Sequence, residues 1–158
     1  MFRKMRREKQ ILSPDETEDI LRRGSFGVLA AAGDGGYPYA VPLNYVYQGG
    51  KIYFHCAKSG QKLDEIRKNS RVSFCVVERS RVVPERLATD YRSVIAFGNA
   101  SVLSGGDAIR KAMLLLIQKY ASQYRERGEA ALEKDWDKLC VVEISVDSMT
   151  GKKASGFS

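Results

Sequence analysis

The chain has one histidine, one tryptophan and three cysteines in 158 residues, and each scarcity narrows what it can do. A lone histidine, His55, cannot form a His-x-His metal pair. Cys56, Cys75 and Cys140 are odd in number and have no short paired spacing, which argues against a disulfide framework and against a Cys-x-x-Cys site. Reduced thiols in a reducing, cytoplasmic compartment are expected. No apolar run approaches the length of a membrane span, and the basic N-terminus is not followed by the apolar stretch of a secretory signal. The phosphate-loop pattern GxxxxGK[ST] and the dinucleotide pattern GxGxxG are both missing. Internal repeats, low-complexity tracts and linkers are missing too, so residues 1–158 are expected to form one domain.

What is present is ordinary for a globular chain: 44% hydrophobic and 28% charged residues, enough to build a real core. The net charge of +7 is uneven. In MFRKMRREKQ, five cations (Arg3, Lys4, Arg6, Arg7, Lys9) stand against Glu8 alone. The arm lacks the interleaved aromatics of a single-strand nucleic-acid binder, so a solvated or partner-docking terminus is expected rather than nucleic-acid binding.

SPDE at 13–16 reads as a helix start, with Ser13 as cap, Pro14 in the first turn and Glu16 completing a capping box. That helix is expected to stop at Gly24 in a left-handed conformation. The period then changes to two. FGVLAAA reads as a strand, GDGG as a turn, and YPYAVPLNYVY as one strand with Tyr37, Tyr39, Val41, Leu43, Tyr45 and Tyr47 on one face. QGG turns the chain into KIYFHC. Connections this short force antiparallel pairing. Further on come a short helix over 61–68, the strand RVSFCVV, a charged loop to Asp90, the strand YRSVIAFGNASVL, one long helix over 106–128, and a last strand from Leu139 followed by a tail. About six mostly consecutive strands with three helices predict a mainly β fold, a Greek-key antiparallel barrel decorated by helices.

HCAKSGQK at 55–62 concentrates the chemistry. His55 and Cys56 are strand neighbours and point to opposite faces, which separates them both as metal ligands and as a nucleophile–base pair. Haem ligation by His55 alone stays open. Ala57, Ser59 and Gly60 lead from a strand end into a helix start, where unpaired backbone N–H groups suit an anion and Lys62 adds charge. The same pattern also fits a plain strand end and helix cap. In YPYAVPLN, two prolines within one strand remove two ladder donors, marking an edge, a bulge or a place where a ligand lies against the backbone.

Together MRR (5–7), GVLA (27–30), GYPYAVPLNYVYQGGKIYFHCAKSGQKLDEIRKN (36–69), VSFCVV (72–77) and YRSVIAFGNA (91–100) resemble the pyridoxamine 5′-phosphate oxidase-like, flavin-nucleotide-binding proteins, and within them the nitroimidazole-resistance reductases. The resemblance implies a split β-barrel homodimer with FMN at the subunit interface. It places Val41, Pro42, Leu43 and Asn44 along the isoalloxazine ring. Phe54, His55, Cys56 and Ala57 would flank the ribityl chain and phosphate, and Ser59, Gly60, Gln61 and Lys62 would hold the phosphate. Arg92 and Ser93 would approach from the partner subunit or its neighbourhood. The oxidase's C-terminal substrate signature has no counterpart in VDSMTGKKASGFS, so oxidation of a vitamin B6 phosphate is not expected. The expected activity is FMN-dependent reduction of a small, electron-poor, nitroimidazole-like compound, with no metal site and no membrane. Two alternatives stand beside it: a flavin carrier or sensor without turnover, and a haem protein on the same barrel. No catalytic group is assigned, although His55 is a candidate; hydrogen bonding to the cofactor phosphate or plain strand packing are its other roles.

Overall fold

A computed structural model describes residues 2–154 of the chain. Helix α1 (Pro14–Arg23) begins as its sequence requires: the Ser13 hydroxyl accepts from the Glu16 N–H, and the Glu16 carboxylate accepts from the Ser13 N–H. Replacing Ser13 by alanine removes one half of this reciprocal cap. It should cost about 1 kcal/mol, a fall of about 3 °C in Tm for a domain of this size, readable by calorimetry. The helix ends at Gly24, but not in the left-handed region: φ is −55° and ψ 134°. Gly24 is there for space, since a Cβ would lie 2.5 Å from the Tyr45 hydroxyl and 2.6 Å from Val76.

Among the described residues, seven strands form a single antiparallel sheet: β1 (Gly27–Ala32), β2 (Pro38–Leu43), β3 (Val46–Gln48), β4 (Lys51–Ala57), β5 (Arg71–Val83), β6 (Ala88–Val102) and β7 (Leu139–Lys153). Their spatial order is β2-β1-β5-β6-β7-β4-β3. Helix α2 (Gln61–Lys68) joins β4 to β5, and α3 (Gly106–Ala121) and α4 (Arg125–Lys134) lie between β6 and β7.

The expected single strand YPYAVPLNYVY is two strands on opposite edges of the sheet. β2 pairs only with β1, and β3 only with β4. The break at Asn44–Tyr45 dictates the shape of the molecule. A flat sheet of seven strands would hold its outer strands ~29 Å apart, whereas Leu43 and Val46 cannot be separated by more than about 11 Å of chain. The sheet therefore curls until its two edges meet at this corner, leaving them without a ladder between them. It is a split, open barrel, not a closed one. Tyr45 and Tyr47 are buried inside it as the alternation predicts, while Tyr37 lies outside the strand and is exposed.

Three further expectations change. The charged loop before Asp90 is a continuation of β5 and β6 into a hairpin, closed by Pro84–Arg86 with Leu87 left-handed at φ 48°. Strand pairing there is read from partners, not from local hydrophobicity, which is low. The long helix breaks at Ser122–Tyr124, and α4 folds back on α3. Gly128 allows the close approach, because a Cβ there would meet Ile117 at 3.0–3.3 Å. Lys152 and Lys153, expected in a tail, extend β7; residues 155–158 of that tail lie outside the described residues.

The barrel interior is filled by Leu29, Tyr45, Ile52, Phe54, Phe74, Val76, Val94, Val142 and Ile144, with Ile20 and Leu21 of α1 and Leu63 and Ile66 of α2 closing on it. Tyr45 packs edge-on to Phe74, ring centroids 4.9 Å apart. No helix among the described residues is long and apolar enough to cross a membrane.

Candidate functional site

The curl leaves two strand edges free. Among the described residues, β2 has no partner beyond β1, and residues 54–57 of β4 pair only with Val142–Leu139 of β7 because β3 stops opposite Tyr53. Both edges diverge from the Asn44–Tyr45 corner. Val41, Pro42 and Leu43 lie along one of them, and Phe54, His55, Cys56 and Ala57 along the other. Pro42 sits on an edge strand, where a missing N–H does least harm to the ladder.

Side chains alternate along both edges. Val41 and Leu43 pack against the core, while Pro42 and Asn44 face outward, and the Asn44 amide donates to the Ser25 carbonyl at 2.9 Å. Phe54 is fully buried, so only its backbone can face the gap. His55 points to the outer face, over a cavity of about 580 Å³ lined also by Met113, Ile117, Leu132 and Asp135. Partial burial there holds its imidazole below the ordinary value.

From Ala57 the chain enters α2 through Lys58, Ser59 and Gly60. Gly60 has φ 134°, a conformation closed to other residues without strain, and it caps α2 without offering a side chain. Its carbonyl accepts from Leu63 and Asp64. This contrasts with α1, whose first turn is satisfied from within. Ser59, Gly60 and Gln61 are exposed, and Lys62 is half-buried beside them.

Arg92 and Ser93 are not near this loop in their own chain. They pair with Lys153 and Lys152, whereas Ala57 pairs with Leu139, so the length of β7 separates them, roughly 45 Å along the strand. Arg92 instead lies 3.6 Å from Glu78 and 4.0 Å from Glu16.

Sequence reasoning missed Lys119 and the tertiary role of Tyr120. From α3, the Lys119 ammonium donates to the carbonyls of Gly24 (2.6 Å) and Tyr45 (3.0 Å) and lies 4.1 Å from the centre of the Tyr45 ring. The Tyr120 hydroxyl lies 2.7 Å from the carbonyl oxygens of both Ser25 and Tyr45 and accepts from the Tyr45 N–H at 3.1 Å. These two side chains fasten the corner where the sheet edges meet. Nothing local could have revealed them, since their partners are 74 to 95 residues away.

Burial lowers the Lys119 ammonium from 10.5 to about 8. Below about pH 8 both folded and unfolded chains carry this proton, and the cost of burying the charge is present in full. Between about 8 and 10.5 only the unfolded chain holds it, so this group's contribution to stability rises with pH across that window. Wild type should therefore gain stability relative to Lys119→Met between about pH 7 and pH 10.5, readable as a rising difference in denaturation midpoint. Parallel pH curves for the two proteins would show the charge to be solvated.

This architecture is the pyridoxamine 5′-phosphate oxidase-like fold, a class defined by an antiparallel sheet curled into a split barrel. The chain belongs to the pyridoxamine 5′-phosphate oxidase family, whose model matches residues 13–153. Among solved structures, a candidate 5-nitroimidazole antibiotic resistance protein of Bacteroides thetaiotaomicron is 21% identical, with 90% of this chain and 86% of that chain covered and a TM-score of 0.75. A FAD-binding protein of Mesorhizobium loti is 26% identical over 92% of this chain and 98% of that one, TM-score 0.66. The FAD and heme binding protein of Mycobacterium smegmatis is 19% identical over 95% and 75%, TM-score 0.76. No curated protein matches the chain.

Proposed function

We propose that the protein binds FMN in the gap between the two free strand edges and works as a flavin-dependent reductase of small, flat, electron-poor compounds such as nitroaromatics. The observation that carries this reading is the start of α2. Its first turn has no side-chain cap, glycine provides the turn, and Lys62 stands beside it. The N–H groups of Gln61 and Lys62 and the Lys62 ammonium would together meet a phosphate with neutral donors, helix dipole and charge. The free edges fit the remainder of the molecule. Backbone groups of Val41–Leu43, and Asn44 once its amide leaves Ser25, would hydrogen-bond a planar ring, while Val41 and Leu43 keep its floor apolar. His55 and Ala57 would flank the chain that joins ring to phosphate. Bound flavin supplies the redox chemistry, and the chain supplies position, exclusion of water and electrostatics.

A second copy of the chain completes the reading. Outward positions of the two central strands are apolar: Val77 is 50% exposed, Ile95 44% and Phe97 39%, where a solvated sheet face would be polar. Cys75, paired with Ile95, lies on the same face. Covering this face with its own copy would bring the partner's Arg92 and Ser93 toward a phosphate that they cannot reach in their own chain. Sedimentation at micromolar concentration should show a dimer, and Ile95→Asp combined with Phe97→Asp should dissociate it and weaken FMN binding together. A monomeric wild type that binds FMN tightly would remove the interface from the account.

Turnover is tested anaerobically. Reduction of the FMN-loaded protein by a pyridine nucleotide followed by reoxidation with a nitroimidazole would establish a reductase, whereas flavin that binds but exchanges no electrons would establish a carrier. The cavity of about 580 Å³ beside His55 and Ala57 favours one variant of the reading, a longer dinucleotide flavin whose adenosine half lies under α3 and α4. Chromatography of the flavin released from purified protein distinguishes FMN from FAD.

A further inference from the structure

Cys56 and Cys140 are 84 positions apart in the chain, yet the register of β4 and β7 sets them directly opposite each other. Opposite residues of an antiparallel pair share a face, with Cα atoms about 4.5–5.5 Å apart, which lies inside the range a disulfide spans. Both side chains lie on the core side of the sheet, Cys140 buried and Cys56 packed against the core but half-exposed. The Cys140 thiol is close enough to perturb the ionisation of Cys56. Cys75 is on β5, paired with Val28 and Ile95, and has no cysteine opposite it.

We propose that Cys56 and Cys140 form a reversible cross-strand disulfide when the protein meets hydrogen peroxide. Cys56 reacts first, because it is the more accessible of the two. Its thiolate attacks one peroxide oxygen, the O–O bond breaks, and hydroxide leaves and is protonated to water, with Cys56 now a sulfenic acid. The Cys140 sulfur then attacks the Cys56 sulfur, the S–O bond breaks, and the departing oxygen takes the Cys140 proton as a second water. One peroxide and two thiols give one disulfide and two waters. A dithiol such as dithiothreitol reverses the change by exchange.

The surroundings set the rate. Burial, then the neighbouring Cys140 thiol, pushes Cys56 up to about 11, while Lys62 and Arg67 on α2 pull the other way. At neutral pH Cys56 is almost entirely in the thiol form, so oxidation should be slow and should accelerate as pH rises. The bond would tie β4 to β7 one residue before the loop that leads into α2. It would close a loop of more than eighty residues, for which a rise in Tm of ~10 °C is expected. The inference does not depend on flavin binding and is tested on the chain without added cofactor.

The experiment treats reduced full-length protein with hydrogen peroxide at about pH 9 and counts thiols after denaturation. The expected result is a fall from three thiols to one, an intact mass lower by two hydrogens, and a proteolytic peptide pair joining Cys56 to Cys140, all restored by dithiothreitol. Cys75→Ser should still lose two thiols, and Cys56→Ser should form no internal disulfide. Because Cys140 lies in the core and its variants can fail to fold, the wild-type peptide map is the deciding measurement. Linkage through Cys75, disulfides only between chains, or Cys56 driven to sulfinic acid with Cys140 still a thiol would each overturn the proposal.

Discussion

Lys62→Ala should weaken FMN binding tenfold to a hundredfold and leave riboflavin binding almost unchanged. The phosphate of FMN is close to a dianion at neutral pH. The turn that would receive it offers backbone N–H groups, the Ser59 hydroxyl and two cations, Lys58 and Lys62, of which only Lys62 is half-buried. A charge-assisted hydrogen bond in such a place contributes about 1.5–3 kcal/mol, which is the stated range in affinity. Riboflavin carries no phosphate and should not register the loss. Salt gives the second signature: screening acts on the charge that the variant lacks, so added salt should weaken wild-type binding more than that of Lys62→Ala. Equal loss for FMN and riboflavin would mean that the variant had damaged the loop rather than removed a phosphate contact.

Tyr45→Ala should be the most destabilising of the single substitutions considered, by about 3–5 kcal/mol, lowering Tm by ~10 °C or more. Three effects combine at this residue. The ring is fully buried and edge-on to Phe74. Its hydroxyl donates to the Leu21 carbonyl at 2.7 Å, so truncation leaves that buried acceptor unpaired. The face of its ring lies 4.1 Å from the Lys119 ammonium, a contact that truncation removes. Tyr45→Phe separates the parts: it keeps the ring, loses only the hydroxyl bond, and should cost about 1–2 kcal/mol. Burial, and less so the nearby Tyr120, raises the Tyr45 hydroxyl above the ordinary tyrosine value, so this side chain stays neutral and donating through the physiological range. Denaturant melts of the two variants, read by Tm and by the midpoint, test the division.

Most of the local structure was legible because local chemistry dictates it. Ser13, Pro14 and Glu16 specify the start of α1, Gly49 and Gly50 with positive φ specify the turn into β4, and the period of two specifies the strands. What could not be read was decided by partners far away in sequence. The stretch YPYAVPLNYVY keeps one alternation through Tyr47, so no periodicity shows that the chain changes sheet edge at Asn44. The β5–β6 hairpin is polar and charged at its tip, and its pairing follows from the register already fixed nearer the core. Helical periodicity continues past Ala121, but packing of Gly128 on Ile117 turns α4 back on α3.

The candidate site divides in the same way. The loop from His55 to Lys62 stood out in the sequence because small residues, a strand end and a helix start are local features. Lys119 did not, because a lysine on an amphipathic helix looks like a solvated charge until the fold sets two carbonyls against it. The opposition of Cys56 and Cys140 was hidden for the same reason: register across 84 positions has no spacing signature.

We propose that the gap between the two free strand edges holds a flavin nucleotide by its phosphate. The most direct test is the visible absorption spectrum of the purified protein, followed by titration of the flavin-free chain with FMN. The expected result is the two visible bands of oxidised flavin, lost on dialysis against high salt more readily than on dialysis against low salt, and restored by FMN at a stoichiometry of one per chain. A protein that is well folded yet takes up neither FMN nor FAD would contradict it.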